Sequence, residues 1–210
     1  MTTPPDAASS PFAVLVVCTA NLCRSPMAEH LLRARMQAAG LTWVVSSAGL
    51  RAQSAHPMHP LAERVLRSRG VVVDGWLSSA VSEATVMNSD LILTATGEQR
   101  GQVCQLAPSV RTHTFTLLEL ARLTAAAGRE ARPPAVELGP WLVESVPAMR
   151  SRLQPAPPGE HDIPDPIGRG LKHFARCAAL IDQALGGILS APDPDRRPSS
   201  ARRRGRWSWA

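Results

Sequence analysis

Within residues 14–26, VLVVCTANLCRSP, a cysteine and an arginine stand six positions apart, Cys18 and Arg24, and Ser25 follows at once. Together these residue types can do phosphorus chemistry: a thiolate is a strong nucleophile, and a guanidinium presents a planar fork that takes two oxygens of a phosphate. Thr19, Ala20, Asn21, Leu22 and Cys23 lie between them. With Arg24 and Ser25 they make a loop that can turn several backbone N–H groups onto one point. Pro26 suits the first turn of a helix, whose dipole adds positive potential there and favours the thiolate form of Cys18. The stretch therefore reads as a phosphate-binding loop with a nucleophile at its base. Ser25 is placed to hydrogen-bond the sulfur and Asn21 to hold the loop's shape.

A loop of this kind works only if a strand aims the sulfur and a helix follows. Residues 13–17 form an apolar, β-branched run that predicts a strand covered on both faces. Met27, Leu31, Leu32 and Met36 recur at helical spacing up to a stop at Gly40. The alternation repeats. Strands are expected at 42–46, 91–94 and, more weakly, 111–115. Helices are expected over 61–70, from about 98 to 106, after Thr116 with Glu119 as a capping box, and over 171–189. Strand alternating with helix predicts an α/β fold, a parallel sheet with helices on both faces and ligands at the carboxyl ends of the strands.

Residues 124–160, rich in Pro, Ala and Arg, break this rhythm and read as an insertion, with 141–153 helical apart from the interruption at Pro147. The expected organisation is a disordered leader at 1–11, one domain over 12–190 containing the insertion, and a disordered Arg-rich tail at 191–210.

Composition narrows the function classes. The chain has 210 residues and a net charge of +6, but the segment from Ala191 onward carries six arginines against Asp193 and Asp195, a net +4, so the rest carries only +2. That distribution argues against a nucleic-acid face. No apolar run approaches the roughly 18 residues that span a bilayer, and the first residues, MTTPPDAASSP, lack the positive charge of a secretory signal. A cytoplasmic protein with its four cysteines as thiols is the expectation, with no membrane partner. The six histidines lack a compact metal-ligand spacing.

CTANLCRSP resembles the signature loop of the low-molecular-weight protein tyrosine phosphatases, and MAEHLLR, SSAGL, HPMHP, SDLILT, FTLLELARL and IPDPIG follow in the order that family gives them. The resemblance covers roughly residues 12–123 and 160–189. It implies a four-stranded parallel sheet in the order 2-1-3-4 and hydrolysis of phosphotyrosine through a phosphocysteine, with no metal or cofactor. The substrate it implies is a phosphotyrosine protein such as a bacterial tyrosine kinase.

By the same resemblance Cys18 is the nucleophile and Arg24 the phosphate clamp. Asp165, in the pair Asp165-Pro166, is the general acid, with Asp162 as its competitor. Ser47 orders the loop, and Cys23 is either a redox partner of Cys18 or a small buried side chain. His56 and His59 are expected at the pocket rim.

The chain departs from the family pattern at Ala20, where many such loops carry Gly, and at Ile167, where Tyr is common. Trp43, Trp76 or the loop near Arg51 are candidate replacements for that aromatic wall. Leu22 stands where the related arginine phosphatases have Thr, and its bulk favours tyrosine phosphate. Two alternatives stay open: an arsenate reductase coupled to an external thiol, since of the relay cysteines only Cys104 is present, and a non-catalytic phosphate-binding adaptor.

Overall fold

The computed structural model describes residues 11–128 and 132–189. The expected leader, apart from Pro11, and the expected Arg-rich tail lie outside these residues.

Four parallel strands form one sheet in the order β2-β1-β3-β4: β1 (Ala13–Cys18), β2 (Val44–Gly49), β3 (Leu91–Thr94) and β4 (Thr114–Thr116). The helices are α1 (Arg24–Ala39), α2 (Pro60–Arg67), α3 (Glu83–Met87), α4 (Gly97–Leu106), α5 (Leu117–Ala127), α6 (Leu138–Glu144) and α7 (Leu171–Leu189). The strands' side chains alternate between the two faces. Val14, Val16, Leu91, Leu93 and Phe115 join α1, α2, α5, α6 and α7 in the larger core, while Leu15, Val17 and Ile92 meet Val86 of α3 and Val103 of α4 on the other face. Burial on both faces explains why β1 reads as an unbroken apolar run.

The element bounds differ from expectation in instructive ways. The second strand is 44–49 rather than 42–46: Trp43 packs its ring 4.9 Å from Phe12, and the SSAG run extends the strand because the buried Ser47 has partners described below. The fourth strand starts at Thr114 because Pro108–His113 winds into a 3-10 helix. The second helix ends at Arg67, and Gly70, at φ 74°, closes the turn behind it. Helix α3, capped reciprocally by Ser82 and Thr85, is too short to announce itself in the sequence. The Thr116–Glu119 box caps α5 as expected.

In the Pro-rich 124–160 region, α5 runs on to Ala127. Leu138, Leu142 and Val146 then enter the larger core, and Pro147 falls in the first turn of a 3-10 helix, Val146–Arg152, where its missing N–H costs nothing.

Candidate active site

β1 ends at Cys18, and α1 begins at Arg24, two residues earlier than Pro26 marked it. The loop between them turns its carbonyls outward. Leu50 N–H donates to the Cys18 oxygen at 2.9 Å, Arg51 to Thr19 at 2.8 Å, His59 to Leu22 at 3.0 Å and Met27 to Cys23 at 3.0 Å. The backbone N–H groups from Thr19 to Ser25 make no hydrogen bond among the described residues, so they are left for an anion. Asn21 takes the left-handed conformation, φ 53°, that a reversal here requires and that Asn tolerates best after Gly.

Cys18 is 2% exposed, and its Sγ lies 2.9 Å from Ser25 Oγ. Asn21 Nδ2 donates to Ser25 Oγ at 2.9 Å and to Ser47 Oγ at 2.8 Å, while its Oδ1 accepts from Ser79 N–H at 2.8 Å. Ser47 Oγ in turn donates to Glu29 Oε2 at 2.5 Å. Glu29, 2% exposed, is further satisfied by Trp76 Nε1 at 3.0 Å and by Arg33 at 2.6 Å. A continuous polar chain therefore runs from Arg33 through Glu29, Ser47, Asn21 and Ser25 to the sulfur. Reading along the sequence found Asn21, Ser25 and Ser47 but missed Glu29, which lies in a helical stretch buried on every side, Arg24 to Leu32, that its sequence does not mark.

Gly49 was missed as well. A Cβ there would stand 2.7 Å from the Thr19 oxygen and 2.8 Å from the Asn21 nitrogen. Glycine's bare Cα lets β2 lie directly under the loop. The SSAG motif is the available signal.

Arg24 is 6% exposed; its Nη2 meets Asp165 Oδ2 at 2.5 Å, and its Nη1 donates to the Ile163 carbonyl at 3.4 Å. The Asp165 side chain remains 44% exposed, and its Oδ1 accepts from Ile167 N–H at 3.1 Å. Asp162, the competitor, accepts from Gly97 N–H at 2.8 Å at the start of α4 and makes no bond to the loop. The residues brought together are thus Cys18, Arg24, Ser25 and Asp165.

The candidate walls separate by position. Trp43 lies at the opposite end of the sheet, and the Trp76 nitrogen is occupied by Glu29, so neither replaces a family Tyr at Ile167. Arg51 is tied to the loop through its backbone. The His59 ring stacks 4.7 Å from Phe174 and accepts from Leu61 N–H, whereas His56 is exposed.

All four cysteines are free thiols. Burial, reinforced by the Asp165 charge, pushes the Cys23 thiol up to about 12. Burial likewise pushes Cys177 up to about 12, against the opposing influence of Arg24. Cys23 is 2% exposed and packs in the larger core.

Known proteins share this sequence pattern and this fold. A low molecular weight protein-tyrosine-phosphatase of Escherichia coli K12 is 38% identical over 103 residues, 49% of this chain and 67% of that protein. The low molecular weight protein tyrosine phosphatase of T. tengcongensis superimposes with a TM-score of 0.64 at 23% identity, covering 85% of this chain and 97% of that one. An arginine phosphatase of Geobacillus stearothermophilus superimposes with a TM-score of 0.63 at 22% identity, covering 85% and 91%. Residues 13–135 match the family described as low molecular weight phosphotyrosine protein phosphatase, and it is to this family that the chain belongs.

Proposed function

We propose that this chain hydrolyses phosphotyrosine in proteins, and aryl phosphates generally, through a phosphocysteine. The observation that carries the reading is the Cys18 sulfur at the floor of a loop of unpaired N–H groups, with Arg24 and Asp165 in mutual contact above it. The phosphate's oxygens take the loop N–H groups and the Arg24 fork. In doing so the phosphate displaces Asp165 from Arg24, and the freed carboxyl enters the step in its protonated form. The Cys18 thiolate attacks phosphorus, the bond to the tyrosyl oxygen breaks, and Asp165 gives that oxygen its proton. Water then attacks phosphorus, its proton passes to Asp165, and the sulfur–phosphorus bond breaks. Ser25, donating to the sulfur, stabilises the departing thiolate.

Leu22, half-buried beside the loop and packed against the core, narrows the rim and favours a planar aryl ester over phosphoarginine. An arsenate reductase would draw electrons from neighbouring thiols. Cys23 and Cys177 are held protonated up to about 12, which disfavours a relay within the chain, and arsenate reduction with an added external thiol is the direct test of the remaining route. A nucleophilic thiol needs a reducing compartment, so we place the activity in the cytoplasm.

The test is p-nitrophenyl phosphate turnover with a chelator present. Cys18→Ser is expected to abolish turnover, and Asp165→Asn to lower kcat by about 10²-fold or more, the usual worth of a general acid. Asp162→Asn should stay within a few-fold of wild type. Turnover that persists in Cys18→Ser would overturn the mechanism. A phosphoarginine preference over phosphotyrosine would overturn the substrate.

A further inference from the structure

On the far side of the acid loop, a second cavity of about 350 Å³ opens between α5 and residues 150–157. Three arginines line it: Arg100 from α4, Arg122 from α5 and Arg150 from the Pro-rich region. Each is fixed by bonds that leave donors over, since a guanidinium carries five N–H groups. Arg122 Nη2 donates to the Gln154 carbonyl at 3.0 Å. Arg100 Nε donates to the Thr114 carbonyl at 3.0 Å. Arg150 gives Nε to Glu119 at 2.8 Å and Nη2 to the Thr114 carbonyl at 3.2 Å, with its Cζ 4.4 Å over the Phe115 ring.

The lining carboxylates are Glu119, shared between Arg150 and Arg100, and Asp162, whose Oδ1 already accepts from Gly97 N–H. Three positive charges therefore face two negative ones, a surplus of one before His161 is counted. His161 lines the same cavity, and its Nε2 is enclosed without a hydrogen-bond partner among the described residues. An arginine cluster that served only to pin residues 150–157 onto α5 would need neither the surplus charge nor an orphaned imidazole nitrogen beside it.

We infer that this cavity is a second anion site, which takes a dianionic phosphate group, free or borne on a small ester, between the guanidinium forks of Arg100, Arg122 and Arg150 and the ring of His161. The forks match the oxygens of a tetrahedral oxyanion. The volume suits a small molecule rather than a peptide segment. The site is separate from the Cys18 loop, and its anion is bound, not cleaved.

The experiment follows the His161 ring by NMR while phosphate is added to the full chain at constant pH and ionic strength. The ring resonances are assigned with His161→Gln. Arg24→Gln is the working background, because it removes the guanidinium of the catalytic loop. A saturating shift of the His161 resonance is expected, weakened at least about tenfold by Arg122→Gln, which loses one charge-assisted contact. Arg150→Gln should weaken it similarly, but it also strips Phe115 and Glu119 of a partner, so the milder Arg122→Gln decides. Inorganic phosphate and glycerol 2-phosphate are titrated in turn. Tighter binding of the ester assigns an organic phosphate, and equal or weaker binding assigns the free ion. A His161 resonance that moves with neither compound, or that moves equally in Arg122→Gln, overturns the site.

Discussion

At Gly49 a side chain would begin 2.7 Å from the Thr19 oxygen and 2.9 Å from the Ala20 carbonyl carbon, both backbone atoms that cannot swing aside. Gly49→Ala must therefore push the loop off β2, and with it the N–H groups proposed to hold the substrate phosphate. Overpacking of this kind costs about 1–3 kcal/mol, and displaced donors cost further in the transition state. The expected result is a fall in kcat of about tenfold or more with a smaller loss of thermal stability, checked by steady-state kinetics beside differential scanning fluorimetry. Ala20, by contrast, adds a methyl group where the family often has Gly and leaves the loop intact around it, since Asn21 supplies the left-handed turn. The cysteines give a second test at this scale. With Cys23 and Cys177 pushed up to about 12, only about one in 10⁵ of either thiol is ionised near neutral pH. Iodoacetate should carboxymethylate Cys18 and the half-buried Cys104 in the native chain and spare the other two. Peptide mass mapping would show it, and inorganic phosphate should protect Cys18 alone.

Helix α1 contributes more than its N-terminal dipole, because its second turn carries the buried carboxylate of Glu29 into contact with β2 through Ser47 and with the following segment through Trp76. Glu29→Gln keeps the volume but removes the charge that Arg33, Ser47 and Trp76 share. Losing hydrogen bonds to a charged buried group costs about 1–3 kcal/mol. The expected outcome is a thermal midpoint several degrees lower together with reduced kcat, because Ser47 then ceases to hold Asn21 and, through it, Ser25. A lowered midpoint with wild-type kcat would show that the chain of bonds supports the fold but not the sulfur. The same helix shows where reading a sequence succeeds and where it stops. Strand, loop and helix around Cys18 were legible because apolar run, Pro and helical spacing are local signals. Glu29 was not, since its partners lie at positions 47 and 76. The strand expected to end at Ser46 runs on to Gly49 because Glu29 and Asn21 satisfy Ser47, and the 3-10 helix at Pro108–His113 takes residues expected in the fourth strand. The Asp165-Pro166 pair marks Asp165 over Asp162 in the sequence, but without saying what either carboxylate touches. Only the packing of the acid loop, with Ile163 N–H on the Ala95 carbonyl, sends one to Arg24 and the other to α4.

Over the whole molecule, acid sensitivity follows from two histidines that folding keeps neutral. Burial pushes His30 on α1 below its ordinary value, outweighing the attraction of Glu29, and burial does the same to His113 ahead of β4, outweighing Asp90. Both groups then bind protons more readily unfolded than folded. Their contribution is fully present above the unfolded value of about 6.5 and is lost as pH falls through and below it. His30 is the more telling of the two, because its Nε2 has no hydrogen-bond partner among the described residues, and its ring lies edge-on to Trp76 at 6.4 Å. Unfolding free energy measured by denaturant titration should therefore decline from pH 7 to pH 5. His30→Gln should flatten that decline whatever it does to the absolute stability at pH 7, since glutamine does not titrate. His113→Gln should flatten it independently, the two sites packing against different parts of the fold. A decline unchanged in both variants would move the acid sensitivity to the carboxylates.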